Sequence, residues 1–110
     1  MSMQVELHEI EAAARDYGAS AYVLVSSASG PPRVTHSPVA FADGELIVTV
    51  GRRAAAELAV NPAFSVLWPA TASQSMSLIV DGTVVGSVDA HGGEVRLAPS
   101  GAVRHRPAAG

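Results

Sequence analysis

Two adjacent arginines at the start of a helix are the first residues in this sequence with chemistry to offer. The stretch Leu46 to Pro69 reads LIVTVGRRAAAELAVNPAFSVLWP. It places a strand ending in Thr49, a Gly51-Arg52-Arg53 turn, and a helix that begins at once and stops at Asn61-Pro62. Backbone N–H groups at a helix N-terminus, two guanidinium groups and a threonine hydroxyl together make an anion site. Arginine forks match phosphate oxygens two at a time, and each charge-assisted contact is worth roughly 1.5–3 kcal/mol. Read the other way, Arg52 and Arg53 are solvated residues on a helix start. That arrangement sets cations against the helix macrodipole, a conflict that a bound anion removes.

Other reactive types are sparse. His36, between Thr35 and Ser37, sits either to hydrogen-bond a ligand or simply on the surface of a strand. His105, flanked by Arg104 and Arg106, reads as a packed or solvated tail residue, and His8 and His91 read as exposed. No pair of histidines has a metal-ligand spacing such as H-x-x-x-H, which argues against a metal site. There is no cysteine, so disulfides, thiolate chemistry and Cys-ligated zinc are excluded. No Gly-x-Ser-x-Gly occurs, so a serine nucleophile has no support. Trp68 and Met76 border a polar loop, where core packing is the expected role of each.

The elements that must position Arg52 and Arg53 follow from periodicity and turn chemistry. Residues 4–17 predict an amphipathic helix, with Leu7, Ile10, Ala14 and Tyr17 on one face and Gly18 as its stop. Ala21 to Ser26 is a short apolar strand, and Ser29-Gly30-Pro31-Pro32 turns the chain. Arg33 to Phe41 predicts a second strand in which Pro38 marks an edge or a bulge. Asp43-Gly44 is a hairpin turn leading into a third strand, Glu45 to Val50. The helix Arg52 to Val60 precedes a fourth strand, Ala63 to Trp68. A fifth runs from Ser77 to Val88 with Gly82 as a bulge, and a sixth covers Glu94 to Ala98 after the His91-Gly92-Gly93 turn. Helix, three strands, helix, three strands with short turns is not a βαβ pattern. It predicts a mainly β protein, a six-stranded antiparallel barrel closed to remove its edges. The barrel is expected to occupy about 20–98 of a single domain spanning 1–110, with a tail over 99–110 in which Ala102 to His105 reads either as an added strand or as a single helical turn.

Composition sets the context. Apolar residues make up 48% of the 110-residue chain and charged residues 15%. Ordinary domains reach about 45–50% apolar only with glycine counted, and are about 25% charged. The surplus apolar surface goes either into the core or into a subunit interface, and the expectation is an interface, most simply of a twofold homodimer. All seven basic residues are arginine and the net charge is −3, so nucleic-acid binding, which rests on an excess of cations, is not expected. No apolar run approaches the ~20 residues of a membrane span. The N-terminus is polar and acidic rather than signal-like, so a cytoplasmic location is the expectation.

With these elements in order, the sequence resembles the pyridoxamine 5′-phosphate oxidase-like family of flavin-binding split β-barrels. Members show a strand ending in Thr, a Ser-Arg-Lys or similar basic turn, a helix, and then Asn-Pro-x-Val-Ser-Leu-Leu. Here those positions read Thr49, Gly51-Arg52-Arg53, Ala54 to Val60, and Asn61-Pro62-Ala63-Phe64-Ser65-Val66-Leu67. The hairpin from Pro32 to Thr49 is similar to the family's second and third strands, and Val80-Asp81-Gly82-Thr83 to its Val-Glu-Gly-Thr strand. The resemblance covers most of 18–89, and the closing Val103-Arg104-His105-Arg106-Pro107 looks like the end of short members.

The resemblance implies a homodimer with two flavin sites in clefts between subunits. It implies a flavin phosphate held by Arg52 and Arg53 of the basic turn beside Gly51 and Thr49, with Arg33 or Thr35 as the second-strand partner. A glutamine that contacts the flavin in the oxidases falls near Ser77, with Gln74 the nearest amide. The basic turn here has Gly51 in place of serine, and the chain stops before the segment that binds pyridoxal phosphate. A true pyridoxamine phosphate oxidase is therefore not implied. The expectation is a protein binding FMN or the deazaflavin F420 and transferring hydride to a small-molecule substrate. The alternatives are a non-catalytic binding, storage or sensing protein and a dimeric scaffold that has lost its cofactor.

Overall fold

The computed structural model describes residues 2–108. The described residues form eight strands: β1 (Ser2–Gln4), β2 (Ser20–Val25), β3 (Arg33–Pro38), β4 (Ala40–Ala42), β5 (Glu45–Val50), β6 (Ala63–Trp68), β7 (Ser77–Val85) and β8 (Gly93–His105). Two short helices, α1 (Ile10–Arg15) and α2 (Arg52–Val60), complete it, with a 3₁₀ turn at Leu7–Glu9. No helix among the described residues is long and apolar enough to cross a membrane. The strands form one antiparallel sheet in the order β3-β2-β6-β7-β8-β5-β4, with β1 paired to β8.

Eight strands replace the six expected, and the reasons are local. The expected second strand, Arg33 to Phe41, changes partner midway. Its first half, β3, pairs with β2, and its second half, β4, pairs with β5. The break follows Pro38, which has no N–H to give a ladder. Val39 instead donates its N–H to the Ala19 carbonyl at 2.9 Å. The bent β3–β4 segment thereby joins the two ends of the sheet and closes it into a barrel.

The other differences lie at the termini. The helix expected over 4–17 is confined to Ile10–Arg15 and the 3₁₀ turn before it. Ile10, Ala13 and Ala14 bury its inner face, while Leu7, counted on that face from spacing, is 52% exposed. Residues 2–4 form β1 instead, because the C-terminal segment offers them a partner: Ser2 lies opposite His105 and Gln4 opposite Val103. The expected tail over 99–110 is a strand as far as His105, so the sheet extends past the expected limit of 98. Residues 109 and 110 of that tail lie outside the described residues. The fifth strand ends at Val85 rather than Val88.

Inside, alternate residues meet in one core. Ala21, Val23 and Val25 of β2 face Phe64, Val66 and Trp68 of β6, Leu78 and Val80 of β7, Leu97 of β8, and Leu46 and Val48 of β5. Each such side chain contributes about 1.5–3 kcal/mol when fully removed from water. Trp68 is 1% exposed and donates its indole N–H to the Gly18 carbonyl at 3.2 Å, which settles it as a core residue. The register shifts between Asp81 and Gly82, where a bulge was expected. A Cβ at Gly82 would collide with the Ala98 carbonyl, so only glycine fits that crossing.

Candidate functional site

The helix α2 starts as its sequence requires. Gly51 holds an extended N-cap conformation, φ −83° and ψ 179°, and no side chain caps the helix. Ala55 donates to the Gly51 carbonyl at 3.0 Å, leaving the N–H groups of the first turn without intrahelical partners. Ala54, Ala55 and Leu58 bury one face against the barrel, which turns Arg52 and Arg53 to the exposed side. At the far end the Asn61 N–H bonds the Glu57 carbonyl at 2.9 Å. The Asn61 side chain also accepts from the Ala63 N–H at 3.1 Å and donates to Ser26 Oγ at 3.2 Å, tying α2 to the strands on either side.

The start of β3 lies beside this helix start. Pro32, Arg33, Val34 and Thr35 form one wall of a groove of about 490 Å³, and Gly51, Arg52, Arg53 and Ala54 form the other. Three of the seven arginines therefore line one groove with no acid in its walls. Two others are engaged elsewhere, Arg15 with Glu11 at 2.9 Å and Arg96 with Glu45 at 3.1 Å. Arg33 is half-buried, and its Nε is fully buried without a hydrogen-bond partner. Buried polar atoms are normally satisfied, and Arg33 Nε and Arg104 Nε are the two buried side-chain atoms left unpaired among the described residues.

The hairpin register thus places both second-strand candidates, Arg33 and Thr35, at the groove. Thr49 stands apart from the groove walls. It is an exposed residue of β5 opposite Glu94, and its own N–H is taken by Ser37. Ser77 lies at the other end of the barrel. Arg33 is level with Val25, Phe64 and Gly82, whereas Ser77 precedes Leu78, which is level with Trp68. Within one chain, then, Ser77 does not join the arginines.

Two contributors to the site were not singled out from sequence. The first is Gly92, in the turn before β8, whose φ of +87° suits glycine. A Cβ on it would stand 2.6 Å from the Val50 carbonyl oxygen and 3.1 Å from the Arg52 nitrogen, so the turn packs directly on the backbone that launches α2. The His91-Gly92-Gly93 run signalled a turn, but nothing local to it pointed to α2. The second is the loop between β2 and β3, where the Ala28 N–H donates to the Glu57 carboxylate at 3.1 Å. That bond ties the chain entering Arg33 to the helix bearing Arg52 and Arg53.

Comparison with known proteins follows the architecture. No family model matches the chain, and no curated protein matches it. Among solved structures, a FAD-binding protein from Mesorhizobium loti is similar over 96% of this chain and 98% of its own, with 14% identity and a TM-score of 0.63. An F420 reductase is similar over 76% of this chain and 88% of its own, with 17% identity and a TM-score of 0.55. At such identities the likeness is one of fold. The fold is an antiparallel split β-barrel shared with these two proteins, which is the fold that the resemblance of the Gly51-Arg52-Arg53 and Asn61-Pro62 segments implies.

Proposed function

We infer that this chain is a flavin-binding protein, holding FMN or F420 by its phosphate in the arginine groove and serving a redox reaction on a small molecule. The observation that carries the reading is the set Arg33, Arg52 and Arg53 around one groove at a helix N-terminus, without an acid and with Arg33 Nε unpaired. These residues fit a phosphate group in charge and in the N–H donors they offer around a groove of about 490 Å³. The FAD-binding and F420 reductase neighbours add support at the level of fold. Arg33, Arg52 and Arg53 would hold the phosphate, with the Thr35 hydroxyl beside them.

A bound flavin supplies hydride chemistry. The groove itself offers guanidinium groups and one hydroxyl, with no carboxylate, imidazole or thiol in its walls, so this chain's part is to bind and orient. The same lining also suits a carrier or sensor of the flavin, and turnover over a broad substrate panel separates the two.

A homodimer belongs to the same proposal. The outer face of the sheet carries a cross-strand row of Tyr22, Leu67, Ile79 and Val103, each opposite the next. Leu24 and the 59% exposed Val34 lie beside it. A second copy of this chain would cover Leu67, Ile79 and Val103, leaving Tyr22 and Val34 at the rim on the side of the groove. The cofactor groove would then lie at the rim of the interface, as befits a barrel whose interior is filled by its own side chains.

The test is a titration of FMN and F420 into the purified protein, with mass measured by light scattering. Binding at micromolar or tighter concentration is expected, to a species of twice 11.2 kDa. The double substitution Arg52→Ala and Arg53→Ala is expected to weaken binding at least roughly tenfold, since each charge-assisted contact is worth about 1.5–3 kcal/mol. Unchanged affinity in that variant would remove the site assignment.

A further inference from the structure

One exposed aromatic pair is left without a role by the phosphate site. Tyr22 of β2 and His36 of β3 are opposite each other on the outer face of the sheet. Their rings stack with centroids 4.7 Å apart and an interplanar angle of 20°. His36 is further held by a hydrogen bond between its Nε2 and Ser20 Oγ at 3.2 Å. Both residues are exposed, with Tyr22 at 36%. Holding two exposed rings parallel costs side-chain entropy and removes little surface from water. The pair is therefore preorganised at the surface, where a planar ligand would gain from it.

Its position relative to the arginines is set by β3. Val34 lines the groove, and Val34 and His36 are two residues apart on one strand, so they point to the same face, about 7 Å apart along it. Tyr22 covers one face of the His36 ring. On its other side β3 has no ladder partner, and β5 reaches it through the Thr49 N–H bond to Ser37, the residue after His36. A path thus runs from three guanidinium groups, over the exposed Val34 side chain, to the exposed His36 imidazole. A flavin mononucleotide has the same order of parts: a phosphate, a five-carbon chain and a flat tricyclic ring.

Resting on the flavin reading above, we propose that Tyr22 and His36 form the stacking platform for the flavin ring, with Val34 beneath the linking chain. Stacking of a flat heterocycle on an aromatic side chain tolerates either a flavin or a deazaflavin, because both offer a π-face. The platform therefore sets ring orientation without choosing between FMN and F420, while the arginines hold the phosphate.

The experiment titrates FMN, F420 and riboflavin, followed by flavin fluorescence, into the wild type, Tyr22→Ser, Tyr22→Phe, His36→Ser and the Arg52→Ala/Arg53→Ala double variant, with light scattering on each. Tyr22→Ser and His36→Ser are expected to weaken the bound flavin roughly tenfold at unchanged mass, and to relieve its fluorescence quenching. Tyr22→Phe is expected to keep wild-type affinity. Riboflavin, which lacks the phosphate, should respond to the platform variants and not to the arginine variant. The platform is overturned, with the phosphate site intact, if the arginine variant loses FMN or F420 while both serine variants retain it. It is also overturned if affinity falls only where the mass drops to that of one chain. A wild type that takes neither FMN nor F420, or an arginine variant that binds as well as the wild type, overturns the flavin reading and the platform with it.

Discussion

The Ser37 hydroxyl accepts the backbone N–H of Thr49 at 2.8 Å and donates to the Pro38 carbonyl at 2.7 Å, so one side chain links β3 to β5 where no ladder joins them. Ser37 is 1% exposed and is the one buried polar residue among the core positions of the described residues. It stands where the second strand leaves β2 for β5, close to Pro38. The bond therefore closes the barrel at the point where the strand changes partner. It also holds in place the β5 segment that leads into Gly51 and α2.

Ser37→Ala is expected to lower stability by about 1 kcal/mol, because the part-buried Thr49 N–H would lose its acceptor. Urea unfolding followed by the fluorescence of the single tryptophan, Trp68, reads this directly, since that residue is in the core. A variant as stable as the wild type would show that water replaces the hydroxyl at the seam.

The two glycines of the last turn are expected to differ. Both have positive φ, +87° at Gly92 and +124° at Gly93, so alanine at either is strained by about 1–3 kcal/mol. A Cβ at Gly93 meets nothing within 4 Å, whereas one at Gly92 meets the backbone of Val50, Gly51 and Arg52. Gly92→Ala should therefore be the less stable of the two in thermal unfolding. It alone should also weaken FMN or F420 binding beyond what its stability loss explains, because it displaces the start of α2. Equal effects on binding from the two variants would argue against this coupling.

Salt should weaken the anion site. Arg52 and Arg53 are exposed, and the Debye length falls from about 10 Å at 0.1 M to about 3 Å at 1 M ionic strength. The dissociation constant for FMN or F420 is expected to rise several-fold between these conditions, while that of riboflavin changes little. Isothermal titration at the two salt concentrations measures both, and a salt-independent FMN constant would place the phosphate away from the arginines.

The sequence alone was enough for features whose causes lie within a few residues. Asp43 and Gly44 both have positive φ, 53° and 78°, the conformation that an Asp-Gly hairpin turn needs. The helix α2 runs between Gly51 and Asn61, as the Gly-Arg-Arg start and the Asn-Pro stop imply, and the bulge falls beside Gly82. Arg52 and Arg53 stood out as candidates for an anion site because a cation pair at a helix start conflicts with the helix dipole over that same short stretch.

Tertiary structure decided what depends on distant partners. Residues 2–4 and 99–105 are strands because each has the other, or β7, beside it; their own periodicity is equally that of a helix or a loop. The break at Val39 follows from closing the sheet, since Pro38 alone allowed an edge, a bulge or a change of partner. The groove is of the same kind. Arg33 meets Arg52 and Arg53 only because β3 and the start of α2 flank the seam of the closed barrel. Ser77, read as a site residue from its place in a motif, is carried by the same register to the opposite end. Turn chemistry and side-chain alternation act over a few residues, whereas strand partners and barrel closure are settled by the burial of the whole core, which no short segment contains.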